Sequence, residues 1–134
     1  RKPMIWADID YEDEVTNPDG SKRNADTVTV NQDLKQHYRK LISIRNRQAA
    51  LRLGDYRTLL VDDDVGLYGF ERRYQGQVVK VILNRSTQDR MMKLNNEGAQ
   101  TAWRELVSGL PVTADGEGIK FKLPAQWGAV LVAD

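Results

Sequence analysis

Apolar residues recur at spacings of three and four from Leu34 to Ile44, then at spacings near two from Tyr56 onward. The first period is helical and the second extended. Residues 31–47 are predicted to form a helix. Leu34, Tyr38, Leu41, Ile42 and Ile44 make its apolar stripe, and Lys35, Arg39 and Lys40 lie off it. Asn31 is placed to cap the first turn, Asp33 suits its positive end, and Arg45 and Arg47 suit its last turn. Ala49-Ala50-Leu51 adds a turn, and Gly54 stops the element.

The extended pattern predicts strands at residues 56–61, 65–73, 78–83, 90–94, 103–107, 112–114, 119–123 and 128–133. Val78 to Leu83 is apolar on nearly both faces except at Lys80, so it is placed centrally. Tyr68 and Phe70 share a face. Asp62-Asp63-Asp64, Gln75-Gly76-Gln77 and Asn95-Asn96-Glu97-Gly98 read as turns. Asp115-Gly116-Glu117-Gly118 reads as a hairpin loop. Ile119, Phe121 and Leu123 alternate with Lys120 and Lys122, as in a half-buried edge or outer strand. Short strands so regularly punctuated over roughly 80 residues predict an antiparallel sandwich or barrel. The first thirty residues hold neither period. They carry Met4-Ile5-Trp6, then Asp8, Asp10, Glu12, Asp13 and Glu14, then the turn signal Asn17-Pro18-Asp19-Gly20-Ser21. They read either as a flexible arm or as a loop cut from a larger body.

The 134 residues fit one ordinary domain, and 40% hydrophobic against 29% charged residues suits a folded core. A net charge of +1 gives no general reason to expect nucleic-acid binding, and Arg72, Arg73 and Lys80 are too few to line such a groove. No cysteine is present, which removes disulfides and thiolate chemistry, and His37 is the single histidine. No apolar run reaches the roughly 20 residues of a membrane-spanning helix. The sequence opens Arg1-Lys2-Pro3 with no basic-then-apolar leader. A trimmed leader or an excised fragment would look this way, and the aperiodic first thirty residues favour a fragment.

Enzyme templates fail one by one. There is no glycine-rich phosphate loop, no Gly-x-Ser-x-Gly elbow and no His-Glu-x-x-His. A serine triad would need His37 as its base, but His37 sits within a charged helix. Two carboxylates roughly 5–10 Å apart could cleave a glycosidic bond. The candidates are Asp8, Asp10, Glu12, Asp13, Asp62, Asp63, Asp64, Asp115 and Glu117. Nearly all fall in turns or in the acidic segment, where nothing tunes a pKa. Asp62-Asp63-Asp64 lacks the spacing of a calcium loop. Trp6, Trp103, Trp127 and Tyr68 could stack on sugar rings, with core packing the weightier reading for Trp103 and Trp127.

The order of segments resembles the alpha-amylase family of glycoside hydrolases, in its neopullulanase, cyclomaltodextrinase and maltogenic-amylase branch. Arg1-Lys2-Pro3-Met4-Ile5-Trp6 resembles the stretch after the last catalytic region, often Asp-Pro-x-x-Arg-Lys/Arg-Pro-Met-x-Trp. Asn31 to Leu34, Tyr38 to Ile42 and Ile44-Arg45 resemble the final barrel helix. Leu51 to Tyr56 resembles the link into the C-terminal domain. Gly69 to Arg72, Val79 to Ser86, Trp103 to Gly109 and Gly128 to Val132 resemble strands of that domain.

The resemblance implies a mainly β fold: an antiparallel Greek-key sandwich of the amylase C-terminal type, preceded by a loop and one helix left over from a (β/α)8 barrel. Residues 1–30 would be the loop from the end of the catalytic barrel, 31–53 the final barrel helix and linker, and 54–134 the C-terminal sandwich. The family's reaction is retaining cleavage of alpha-glucosidic bonds in starch, pullulan or maltodextrins. Its aspartate nucleophile, glutamate acid/base and third aspartate lie on upstream barrel strands. No catalytic residue, cofactor or metal ligand is therefore expected in these residues. Arg1 is the one substrate-binding candidate, since its planar fork can donate to sugar hydroxyls. Met4 and Trp6 would anchor the loop. The expected partners are the upstream barrel of the same polypeptide, its alpha-glucan or maltodextrin substrate, and a second copy through the helix stripe. Neither nucleic acid nor membrane is expected. The alternative is a stand-alone carbohydrate-binding sandwich with Trp103 or Trp127 as its platform. Bacterial cytoplasm, periplasm and secretion all suit a chain without cysteine.

Overall fold

The computed structural model describes residues 5–96 and 102–133. Arg1 and Met4 lie outside them, as does part of the turn expected at residues 95–98. The chain divides into two compact units between Arg39 and Lys40.

In the first unit, β1 (Glu14–Thr16) and β2 (Lys22–Asp26) form an antiparallel hairpin. The hydrophobic pattern does not predict it, because its turn holds it instead. The Asn17 amide donates to the Ser21 carbonyl at 2.7 Å, and Asp19 accepts from the Ser21 amide and hydroxyl at 2.9 and 2.7 Å. Gly20 has φ +85°, a conformation costly for other residues. Arg23 bridges Glu14 across the strands at 2.6 Å. Helix α1 (Gln32–Arg47) starts where predicted, and the Leu34 amide donates to Asn31 Oδ1 at 2.9 Å.

In the second unit, α2 (Ala49–Leu53) leads into the strands. Strands β3 (Asp55–Asp62), β4 (Leu67–Tyr74), β5 (Gln77–Asn84), β10 (Trp127–Ala133) and β7 (Trp103–Glu105) form one antiparallel sheet in that spatial order. Strands β6 (Arg90–Leu94), β9 (Gly118–Leu123) and β8 (Val112–Asp115) form the other. The sandwich expected from strand spacing is thus present. β5 lies centrally, between β4 and β10, as its apolar run predicts. β9 is the middle strand of its sheet rather than an edge. Its alternation holds nonetheless: Ile119, Phe121 and Leu123 are buried against Val78, Ile82, Leu131 and Trp103. The β4–β5 turn is a two-residue loop with positive φ at both Gln75 and Gly76, which matches the twist of the strands it joins.

Gly54 ends α2 for a reason other than a left-handed cap. Its φ is −74°, and a Cβ there would lie 2.6 Å from the Ala50 carbonyl oxygen and 2.7 Å from that of Arg73. Only glycine lets the helix end pass so close to β4.

Candidate docking face and the groups that hold it

The five-stranded sheet is apolar on both faces. One face meets the three-stranded sheet. On the other, Val79, Val130, Val132 and Val107 are buried beneath Ile44 and Ala50, with Leu41 and Leu51 beside them. The helix stripe read from sequence is therefore split. Its Leu41–Ile44 edge seats on the sheet, while Leu34, Tyr38 and Ile42 remain at least half exposed.

Polar side chains clamp the helical cover in place. Helix α2 has no side-chain cap from Gln48. Instead Gln77 Oε1, at the start of β5, accepts the Ala50 amide at 2.8 Å. Arg45 donates to the Leu51 carbonyl at 2.5 Å, and Arg72 donates twice to that of Gly54, at 3.0 and 2.6 Å. These bonds satisfy helix-end groups that the short element cannot satisfy itself.

The same sheet face continues beyond the helices. Tyr68 pairs with Leu83 and Val61 across the strands, and Phe70 pairs with Val81. Val61 is 59% exposed, Tyr56 54% and Leu83 44%. The Tyr56 and Phe70 rings stack at 5.2 Å, and the Tyr56 and Tyr68 hydroxyls are hydrogen-bonded. This is an aromatic and aliphatic strip on a rigid sheet, suited to packing against another folded surface.

Two buried acids hold the sheet, and neither was singled out by sequence. Glu105 accepts the amides of Val107 and Val130 at 2.7 and 3.1 Å, and those of Ser108, Gly109 and Leu110 at 2.7, 2.9 and 3.3 Å. It thereby fixes the loop that carries Leu106 and Val107 onto the helix-covered face. Glu71 is paired with buried Lys80 and bonded by Arg73 at 2.5 Å and Arg57 at 3.1 Å. Burial opposes the Glu71 charge. Hydrogen bonds from Arg73 and Lys80, and their charges, outweigh it and hold the carboxyl below its usual range. The only sequence signal for either acid was a charge at an inward-facing strand position. Asn84 joins three segments, donating to the Gln88 and Pro124 carbonyls at 2.9 Å each and accepting from the Ser86 amide at 3.0 Å.

The expected site residues are scattered. Asp8, Asp10, Glu12, Asp13, Asp63, Asp64, Asp115 and Glu117 are exposed, and Asp62 caps its own turn through the Val65 amide at 2.9 Å. Asp115 is held below the carboxylate range first by the Glu117 amide, and Glu117 first by Lys120. A general acid needs the opposite shift. His37 lies on α1 with its ring edge-on to Tyr38 at 6.4 Å. Trp103 is 6% exposed, bonds Asn96 at 3.2 Å and has the Lys80 ammonium 5.7 Å from its ring centre, so it offers no open platform. Trp127 is 37% exposed, and its indole donates to Ser108 at 2.8 Å. Among the described residues, no three acids or histidines are grouped to hold a metal ion, and no helix is long and apolar enough to cross a membrane.

Residues 56–129 match the family described as maltogenic amylase, C-terminal domain. Neopullulanase 2 of Thermoactinomyces vulgaris is 28% identical over 98% of this chain and 19% of its own. The amylopullulanase of Thermoanaerobacterium saccharolyticum is 30% identical over 96% of this chain and 11% of its own. The chain thus spans less than a fifth of either relative. In fold it resembles the alpha-amylase of Geobacillus thermoleovorans, with a TM-score of 0.72 at 19% identity, covering 89% of this chain and 27% of that one. The match spans more than half of the chain and takes in nearly the whole sandwich, so the chain belongs to the maltogenic amylase C-terminal domain family.

Proposed function

We propose that the chain is the non-catalytic C-terminal portion of an alpha-glucan hydrolase and that it covers and steadies the catalytic barrel. Residues 1–30 are the loop leaving that barrel, 31–53 its final helix and linker, and 54–134 the sandwich. The longer enzyme cleaves alpha-glucosidic bonds in starch, pullulan or maltodextrins with retention, using barrel carboxylates upstream of Arg1.

One observation carries this reading: among the described residues 5–39, none is buried. Trp6, Ile9, Val15, Leu34 and Tyr38 are all at least half exposed there. A segment with capped helix, ordered turn and no core of its own has the form of structure borrowed from a larger body. The lengths of the relatives support the same reading.

The test is the intact mass of the native protein, detected with an antibody against residues 54–134. A product of several hundred residues is expected. A native product near 15.3 kDa, the mass of these residues alone, would overturn the proposal.

A further inference from the structure

Strand β6 carries two adjacent methionines, and the pleat sends them to opposite sides of the three-stranded sheet. Met92 lies opposite Phe121 and is 6% exposed, packed in the core with Ile119, Leu123 and Trp103. Met91 lies opposite Lys122 and is 76% exposed, the most of any large apolar side chain among the described residues. It borders an open groove of about 460 Å³, lined also by Leu110, Pro111 and Pro124. The Met91 thioether is thus part of an apolar surface in direct contact with solvent. With no cysteine in the sequence, methionine sulfurs are the groups a peroxide attacks first.

We infer that Met91 is a reversible oxidation site, and that its sulfoxide turns this groove from apolar to polar while the fold stays closed. The oxidant is a hydroperoxide. The Met91 sulfur lone pair attacks the outer peroxide oxygen, the S–O bond forms and the O–O bond breaks. Sulfur gives up two electrons. The departing oxygen takes the proton of the attacked hydroxyl and leaves as water or an alcohol. A dithiol-driven sulfoxide reductase reverses the change, removing the oxygen as water.

The two positions differ in what they can tolerate. At Met91 the new oxygen is an acceptor in water, and Lys122 across the strand pair can donate to it. At Met92 the same oxygen would be an unpaired acceptor inside the core. Burial also shields the Met92 sulfur, so it reacts only from opened molecules. Neighbours in sequence therefore divide into a surface thioether that cycles and a core thioether that is protected.

The experiment labels the methionine methyl groups of the 134-residue chain with 13C and follows their NMR signals in dilute hydrogen peroxide. Met91→Leu and Met92→Leu assign the two signals. The Met91 signal is expected to convert to the sulfoxide about tenfold or more faster than that of Met92. The melting temperature should hold while Met91 converts. Retention on a hydrophobic column should fall, and by more than in Met91→Leu treated alike. Methionine sulfoxide reductases with dithiothreitol should restore the Met91 signal and the retention. The inference is overturned if Met92 reacts as fast as Met91, if Met91 resists peroxide, if its oxidation unfolds the chain, or if retention falls equally in Met91→Leu.

Discussion

Glu105 shows how a single acid can be wholly structural. Its two oxygens take five backbone amides, so the carboxylate substitutes for the water those donors would otherwise need. Glu105→Ala leaves buried donors unpaired and is expected to cost about 3 kcal/mol or more in urea unfolding. Glu71 carries a pH dependence whose sign follows from its depressed pKa. Its contribution is complete above the ordinary value of 4.5 and is lost as pH falls through the lower folded value. Unfolding free energy should therefore fall on acidification below pH 4.5, and Glu71→Gln should flatten that limb. Lys80→Met takes one of three cationic partners from the buried carboxylate and should cost about 2–3 kcal/mol. Joining it to Glu71→Leu should recover most of that loss, since an apolar pair fits the space between the sheets as well as an ionic one.

At the level of elements, hydrophobic periodicity revealed what burial enforces. The central place of β5 and the inward set of β9 follow from apolar residues facing a core, whereas the start of α1 follows from its Asn31 cap. The β1–β2 hairpin escaped because Lys22 to Asp26 has no inward face. Its turn bonds and one ion pair carry no period. Periodicity likewise could not show that β9 is flanked on both sides, because pairing across a sheet leaves the alternation along a strand unchanged. The same limit hid the split in the α1 stripe: one wide apolar arc can serve two different neighbours. That split predicts unequal costs. Ile44→Ala removes a side chain seated on Val79 and Val130 and should cost about 2–4 kcal/mol. Tyr38→Ala, at 59% exposure, should change the stability of this chain by less than about 0.5 kcal/mol. Of the candidate chemistry, the exposed acids were legible as turn residues.

The molecule as a whole is asymmetric in what it satisfies internally. Its sandwich holds two apolar clusters, while residues 5–39 bury none of their side chains. Apolar surface left in water favours association. At high concentration the isolated chain is therefore expected to form dimers in sedimentation, and Tyr38→Glu should return it to a monomer. A single monomeric species across all concentrations would contradict this. The sheet order carries a consequence of another kind. β10, the last strand in chain order, sits between β5 and β7. A ribosome delivers strands in sequence, so β3, β4, β5 and β7 must wait with a gap between β5 and β7 in their sheet. Until that strand arrives, β5 presents an unpaired apolar edge that invites another nascent chain. The interval before β10 emerges is thus the aggregation-prone one for this sheet, and a delay in translating that strand would prolong it.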